Sequence, residues 1–245
     1  MATYILIHGG GHGGWCYQRV ARLLRGAGHE VYTPTLTGLG ERAHLVGPDT
    51  DLDTHITDII QLLHYEDIHD AIVVGHSYGG MVITGVADRA ANRVAHLVFL
   101  DAAHPKGGES LCDISPDLMD YARKTSRIVD GVELAMWPGM EIVKLMGITD
   151  PADQQWVLER LTPHPWKCNE QALVLENEAT VTAIPFTNIN ASWGMKVRPA
   201  ESRRRALEGE RVWEVDTGHD LMLTEPMETA RLLLQVAALV EADSA

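Results

Sequence analysis

Residues 71–80 read Ala-Ile-Val-Val-Gly-His-Ser-Tyr-Gly-Gly, an apolar run that breaks into a serine flanked by glycines. The pattern Gly-x-Ser-x-Gly is typical of a sharp turn between a strand and a helix, in which glycines relieve the crowding around a strained serine. The context agrees, because residues 72–74 are β-branched and residues 81–87 have the composition of a buried helix. We therefore predict a nucleophile elbow with Ser77 at its tip; the alternative is a tight turn without chemistry.

Strand and helix patterns alternate on both sides of this turn. Strands are predicted at residues 3–7, 30–33, 72–74, 94–100, 184–190 and 211–215. Helical spacing of apolar residues occurs at residues 15–25, 52–63, 81–87 and 225–240. This alternation with buried strands indicates an α/β fold: a mostly parallel sheet of about six strands with helices on both faces.

The alternation stops between residues 104 and 183, which we interpret as an inserted helical cap on a core of residues 1–103 and 184–245. One helix of the cap is predicted at residues 153–161, after an Asp-Pro start signal. Flexible and aromatic side chains that could line an apolar pocket are scattered through it, although ordinary packing is the alternative. They are Met119, Met136, Trp137, Met140 and Met146.

The composition limits the partners that we expect. The chain has 245 residues, 45% of them hydrophobic, and a formal net charge of −14. Such a chain can bury one large core, and its negative charge argues against binding to nucleic acid or to an anionic membrane. The amino-terminal residues have no basic region before the first apolar strand, and no apolar run reaches the ~20 residues of a membrane span, so we expect a cytoplasmic protein.

The chain has three cysteines, Cys16, Cys112 and Cys168. They are odd in number, far apart and without the spacing of metal ligands, so neither a disulfide framework nor a zinc site is predicted. Residues 8–14, His-Gly-Gly-Gly-His-Gly-Gly, form a loop that lets backbone amides approach a ligand closely. The loop contains G-x-G-x-x-G, but no acidic residue ends the next strand and no Gly-Lys-Ser/Thr follows, which disfavours nucleotide binding. We expect no cofactor and no metal.

A serine hydroxyl needs a general base and a group that orients that base. Residues 215–220, Val-Asp-Thr-Gly-His-Asp, place His219 in a loop after the last predicted strand. The base of a nucleophile-elbow enzyme stands at this point in the chain order serine, acid, histidine. His219 is therefore the candidate base among 12 histidines.

Along its whole length the sequence resembles the α/β-hydrolase superfamily, in particular the branch of plant hydroxynitrile lyases, plant methyl-ester esterases and bacterial carboxylesterases of the pyrethroid-hydrolase type. The motifs that carry the resemblance are residues 8–16, 33–42, 75–80, 99–102, 161–165 and 217–220. The resemblance implies an oxyanion hole made by the amides of Gly10 and Tyr78. It also implies that His12 and Trp15 support the site.

One departure from the family concerns the acid. Relatives carry an aspartate after the penultimate strand, where this chain reads Asn-Ala-Ser-Trp-Gly-Met at residues 190–195, so that Gly194 stands in its place. Glu201 lies several residues on, in a predicted helix. Asp101, at the end of the strand beside the nucleophile strand, is a position that some α/β hydrolases use. We take Asp101 as the candidate acid, although relatives with the usual aspartate also tend to have one here.

These residues favour a serine-dependent hydrolase that cleaves a small apolar or aromatic carboxylic ester through an acyl-serine, without a cofactor. One alternative is a lyase that cleaves cyanohydrins, but plant lyases carry a lysine directly after the base, where this chain has Asp220. The other alternative is a binding or non-hydrolytic protein that kept the fold and lost its acid. A small-molecule ester is the expected partner, and a homodimer is left open.

Overall fold

The computed structural model describes residues 1–137 and 139–243. Its strands are β1 (Thr3–Ile7), β2 (Glu30–Tyr32), β3 (Ala71–His76), β4 (Val94–Leu100), β5 (Arg127–Val129), β6 (Val132–Ala135), β7 (His164–Pro165), β8 (Phe186–Ala191) and β9 (Arg211–Val215). Its α-helices are α1 (Gln18–Gly26), α2 (Leu52–Tyr65), α3 (Gly79–Arg89), α4 (Leu111–Ile114), α5 (Pro116–Thr125), α6 (Gly139–Leu145), α7 (Pro151–Leu158), α8 (Lys167–Glu170), α9 (Glu178–Ala183), α10 (Ser192–Val197), α11 (Ala200–Arg205), α12 (Leu221–Thr224) and α13 (Pro226–Asp243). Short 3₁₀ turns occur at Gly14–Tyr17, Gly40–Leu45 and Ala91–Arg93.

The main sheet has six strands in the order β2-β1-β3-β4-β8-β9, and every neighbouring pair is parallel. All six residues of β3 are buried, as expected for an apolar strand covered on both faces. The predicted α/β class and the six-stranded sheet are confirmed. Because the strands are parallel, the loops that follow β1, β3, β4 and β9 meet at one edge of the sheet.

Two apolar layers cover the two faces of the sheet. Successive side chains of a strand point to opposite faces, and in β1 Ile5 and Ile7 join one buried cluster while Tyr4 and Leu6 join the other. The first cluster includes α2 and α3, and the second includes α1 and α13. The Tyr4 hydroxyl also donates a hydrogen bond of 2.8 Å to the Leu233 carbonyl. Packing on both faces holds the sheet rigid, and the candidate residues lie at the carboxyl edge of that sheet.

The segment between β4 and β8 is not wholly helical, which corrects one part of the predicted cap. It contains α4 to α9 and also a three-stranded antiparallel sheet of β5, β6 and β7. A turn at Asp130 and Gly131 joins β5 to β6, and both residues have positive φ, at 50° and 81°. Asp-Gly is the preferred pair for such a hairpin turn, so the sequence did contain the signal for it.

Residues of this segment belong to both apolar clusters, which ties the segment to the sheet. Leu111 and Met119 join the cluster of α2 and α3, while Ile142 and Val157 join the cluster of α1 and α13.

Among the described residues, no helix has the length and apolar character needed to cross a membrane.

Candidate active site

Ser77 lies between β3 and α3 with a φ of 53°, a left-handed conformation that non-glycine residues rarely adopt. The flanking positions have no room for a side chain. A Cβ added at Gly75 would lie 2.5 Å from the Gly79 carbonyl oxygen, and one at Gly79 would lie 2.8 Å from the Ile7 carbonyl oxygen. The Ser77 carbonyl accepts hydrogen bonds from the amides of Gly80 and Ala103, at 3.1 and 2.9 Å. The glycines thus permit the turn and these bonds hold it.

His219 and Asp101 are in direct contact at the carboxyl edge of the sheet. His219 Nδ1 lies 2.6 Å from Asp101 Oδ2, with Asp101 directly after β4 and His219 in the loop after β9. Because the carboxylate can only accept, Nδ1 carries the proton and Nε2 is free to take a second one. Asp101 is 2% exposed, and its φ of 44° is one that aspartate tolerates better than most residues.

The other oxygen of Asp101 is held by Arg198. Arg198 Nη2 donates to Asp101 Oδ1 at 2.8 Å, and its Nη1 donates to the Ala102 carbonyl at 2.9 Å. The Ala191 amide also donates to Oδ1, at 3.3 Å. Burial alone raises the pKa of the Asp101 carboxyl, but the hydrogen bonds and charges of His219 and Arg198 bring it well below its ordinary value. Asp101 is therefore an anion at neutral pH.

The absence of a side chain at Gly194 leaves room for the Asp101 carboxylate. A Cβ added at Gly194 would lie 2.5 Å from Asp101 Oδ2 and 2.6 Å from Oδ1. The carboxylate that contacts His219 therefore fills the space that a side chain at position 194 would occupy. Glu201, the other acid considered, lies in α11 and accepts hydrogen bonds from Arg204 and Arg205.

The orientation of the peptide between Gly9 and Gly10 is fixed by two donors. The Gly9 carbonyl accepts a hydrogen bond of 2.8 Å from His8 Nδ1 and one of 3.3 Å from the His12 amide. The Leu36 amide donates to His8 Nε2 at 3.1 Å, so the single proton of this ring is on Nδ1. Because the N–H and C=O of a trans peptide point in opposite directions, the Gly10 amide points away from both donors.

His12 and Asp220 form a buried pair beneath this loop. His12 Nδ1 lies 3.0 Å from the Gly10 carbonyl oxygen, and Nε2 lies 3.0 Å from Asp220 Oδ2. Both neighbours are acceptors, so the ring carries two protons and a positive charge. Burial by itself lowers the pKa of His12, but the Asp220 carboxylate and the Gly10 carbonyl raise it above its ordinary value. The pair connects the loop after β1 to the loop that carries His219.

His76, the residue before Ser77, supports the backbone of His219. His76 Nε2 donates a hydrogen bond of 3.0 Å to the His219 carbonyl. Burial lowers the pKa of His76 to about 3, so the ring is neutral. His76, His219 and Asp220 are also close enough together to hold a metal ion. However, His219 Nδ1 already bonds Asp101, and Asp220 Oδ2 already bonds His12. These three residues therefore serve to hold the loop of His219 through hydrogen bonds.

A cavity of about 380 Å³ lies over these groups, and Gly10, Ser77, Tyr78, Asp101 and His219 all line it. Most of its remaining wall is apolar. Lining residues from the segment between β4 and β8 include Leu111, Leu118, Met119, Trp137, Ile142, Leu145 and Met146. The pocket prediction therefore applies to Met119, Trp137 and Met146, whereas Met136 and Met140 are not among the lining residues.

Sequence reasoning missed three supports of this arrangement. Arg198 follows Gly194 by four residues, and nothing local to it signals a contact with Asp101. The family resemblance predicts that His12 supports the site, but it does not identify its partner Asp220, which lies 208 positions away; an acid directly after the candidate base was a visible signal. His76 occupies a variable position of the serine motif, so the motif predicts no contact for it.

The sequence profile of the alpha/beta hydrolase family matches residues 4–232 of this chain. The chain belongs to the alpha/beta hydrolase family. Within this family, the chain is similar to a carbendazim hydrolyzing esterase of Nocardioides sp. (strain SG-4G). The two are 37% identical over 246 aligned positions, which cover 95% of this chain and 98% of the relative. It is also 24% identical to a probable esterase of rice, over 96% of both chains.

Solved structures of alpha/beta hydrolases share the fold. An extracellular alpha/beta-hydrolase from a Paenibacillus species superposes with a TM-score of 0.78 at 21% identity, covering 96% of this chain and 98% of the other. A methylesterase from Arabidopsis gives a TM-score of 0.78 at 18% identity, with 98% of this chain and 100% of the other covered. At these identities the likeness concerns the fold alone.

Proposed function

We propose that the protein hydrolyses a small, neutral carboxylic ester through an acyl intermediate on Ser77. The observation that carries the proposal is the 2.6 Å contact between His219 Nδ1 and the buried Asp101 carboxylate, in a cavity that Ser77 also lines. A histidine oriented by a carboxylate next to a serine on a strained turn is the arrangement that activates a hydroxyl for acyl transfer.

The reaction has two halves. His219 Nε2 takes the Ser77 proton while Ser77 Oγ adds to the ester carbonyl, and the amides of Gly10 and Tyr78 donate to the resulting oxyanion. The Asp101 carboxylate stabilises the imidazolium that forms. Collapse breaks the bond to the alcohol, which leaves with the proton from His219. Water, deprotonated by His219, then attacks the acyl-serine and releases the acid.

The cavity and the relatives support an uncharged and largely apolar substrate. The wall is mainly aliphatic and aromatic, and the carboxylate of Asp101 is neutralised by Arg198. Carbendazim, the compound in the name of the Nocardioides esterase, is therefore the first substrate to assay, together with phenyl acetate as a small generic ester.

The two alternative functions have less support. Gly194 favours a protein that lost its acid, but the contact between Asp101 and His219 supports a carboxylate at the base instead. A cyanohydrin lyase would need a cation after the base, but Asp220 stands there and is bonded to His12.

The test compares the wild-type enzyme with Ser77→Ala for both compounds. We expect hydrolysis by the wild-type enzyme and a loss on the order of 10⁴-fold or more in kcat for the variant, because the nucleophile is removed. Thermal unfolding checks that the variant is folded. Undiminished turnover by folded Ser77→Ala would refute the serine mechanism.

A further inference from the structure

Arg198 links the candidate acid to the backbone at the end of its own strand. It directly follows α10, and its side chain is 11% exposed. Its Nη2 donates to Asp101 Oδ1 at 2.8 Å, and its Nη1 donates to the Ala102 carbonyl at 2.9 Å. A guanidinium is planar and rigid, so these two bonds from its two arms set the direction of the carboxylate as well as its place.

The two oxygens of the Asp101 carboxylate have different partners. Oδ2 lies 2.6 Å from His219 Nδ1, whereas Oδ1 accepts from Arg198 and, at 3.3 Å, from the Ala191 amide. Rotation of a carboxylate about its last bond has only a broad preference, so its partners determine its plane. The bond from Arg198 is the shorter of the two that Oδ1 accepts. The direction of Oδ2 towards His219 thus depends mainly on Arg198.

Arg198 is held in turn by its own backbone. Its amide donates to the Gly194 carbonyl at 3.1 Å, and its carbonyl accepts from Arg203 Nη2 at 3.2 Å. These bonds anchor the base of the side chain, and the bond to the Ala102 carbonyl anchors its far end. A side chain that is anchored at both ends is a rigid support for the carboxylate that it contacts.

Arg198 also lines the cavity, so direct binding of the substrate is the alternative role. Both of its terminal nitrogens already donate to protein oxygens, and a substrate acceptor would compete with Asp101 for them. Burial raises the pKa of the Asp101 carboxyl, and the contacts of His219 and Arg198 lower it, so Arg198 also helps to keep this group ionised. These contacts favour a role that acts through Asp101.

We propose that Arg198 is a positioning residue, whose two-armed guanidinium joins Asp101 to the Ala102 carbonyl and so directs Asp101 Oδ2 at His219. This inference rests on the proposed ester hydrolysis. Asp101 serves that reaction only while its carboxylate meets His219 Nδ1, because this contact fixes the tautomer of the base. A misplacement of about 1 Å in a catalytic group lowers a rate by up to about 10²-fold.

The test is a double-mutant cycle with p-nitrophenyl acetate as substrate. Arg198→Gln removes the charge and replaces the two arms by a single amide. We expect kcat to fall by about 10- to 100-fold and KM to stay within about threefold, because the proposed role involves no contact with the substrate. In the Asp101→Asn background the same substitution should change kcat by less than about twofold, because the contact that Arg198 directs has already lost its function.

Arg198→Lys separates the fork from the charge, and it keeps the proposal falsifiable if thermal unfolding shows that Arg198→Gln is not folded. Lysine keeps the positive charge but presents a compact ammonium instead of a planar fork. We expect kcat to fall by about three- to tenfold, again only when the Asp101 carboxylate is present.

Arg204→Gln is the matched control, because it removes an exposed guanidinium that pairs with Glu201 and Glu208. It should change kcat by less than about threefold. Wild-type kcat in folded Arg198→Lys overturns the role of Arg198 alone. A loss of equal size with and without the Asp101 carboxylate, or a rise in KM that persists in Asp101→Asn, overturns it as well.

Failure of the proposed function gives a different result. The wild-type enzyme would then hydrolyse neither p-nitrophenyl acetate nor phenyl acetate, which contradicts ester hydrolysis and the role of Arg198 together.

Discussion

At the scale of single residues, the proposed chemistry depends most on the assignment of Asp101. Local motifs identify Ser77 and His219 as candidates, because each stands in a short pattern directly after a strand. The sequence could not show that Asp101 contacts His219, because its place at the end of a strand does not reveal which side chains from other loops lie beside it. The close approach of Asp101 to Gly194, and the bond from Arg198, depend on tertiary packing.

The first prediction concerns Asp101→Asn. Asparagine has nearly the same shape and tolerates the positive φ of this position, so the fold should persist. We expect kcat for phenyl acetate to fall by about 10³- to 10⁴-fold, because an amide neither fixes the working tautomer of His219 nor stabilises its imidazolium. In a Ser-His-Asp protease, replacing the triad aspartate by asparagine lowers kcat by about 10⁴-fold, which gives this magnitude.

Asp216→Asn provides the control for this prediction. Asp216 is an exposed acid three residues before His219 and is bonded to Ser192 Oγ at 2.7 Å. Its removal should change kcat by less than about threefold, because an exposed polar contact contributes little. Equal activity of Asp101→Asn and Asp216→Asn would exclude Asp101 as the acid.

At the scale of secondary-structure elements, the site is an assembly of loops at the ends of parallel strands. Periodicity in the sequence was sufficient to place these strands and the four long helices of the core, α1, α2, α3 and α13. The β5–β6 hairpin was missed because its strands are short, although Asp130-Gly131 is a hairpin signal. The resemblance predicts His12 as a support of the site. Its bond to Asp220, which joins the loop after β1 to the loop after β9, could not be predicted, because the two residues are distant in sequence.

The second prediction tests that support, the buried pair of His12 and Asp220. Asp220→Asn removes the charge of a fully buried carboxylate and leaves the His12 cation without its partner. We expect the free energy of unfolding to fall by about 3–5 kcal/mol, as measured by urea denaturation at pH 7.

A double-mutant cycle with His12→Gln separates this effect from general disruption. His12→Gln/Asp220→Asn pairs two neutral amides, so its destabilisation should be smaller than the sum of the single effects by about 1 kcal/mol or more. Additive losses would show that the two side chains do not stabilise each other.

At the scale of the whole molecule, several neutral histidines are buried together around the sheet edge. Burial lowers the pKa of His8 and His76 to about 3 and that of His104 to about 4, and it also holds the pKa of His164 well below its ordinary value. His12, whose pKa is raised, opposes them. More of these histidines have a lowered pKa than a raised one. In mild acid the unfolded chain therefore binds more protons than the native chain does.

The third prediction follows from this imbalance. Below pH ~6.5 each of these histidines binds a proton in the unfolded chain but not in the native one, so stability falls as the pH falls. Each contributes a loss of about 1.4 kcal/mol per pH unit between its unfolded and folded pKa values. Urea denaturation between pH 7.5 and pH 5 should show a clear decline in the free energy of unfolding.

His104→Phe is the matched variant for this decline. The His104 ring is stacked on Phe99 at 3.9 Å between centroids, and phenylalanine preserves that stacking without a titrating group. Its stability should depend less steeply on pH, by up to about 1.4 kcal/mol per pH unit. A wild-type stability that is constant or rises towards pH 5 would contradict the neutral state of these histidines.

The serine mechanism is tested most directly by observing the acyl group on Ser77. Enzyme mixed with excess p-nitrophenyl acetate and quenched in acid within milliseconds is analysed by intact-protein mass spectrometry, followed by peptide mapping. We predict one acetyl group per chain in the wild-type enzyme, located on the peptide that contains Ser77, and none in Ser77→Ala. An acetyl group on another residue, or turnover of the ester by folded Ser77→Ala at the wild-type rate, would contradict it.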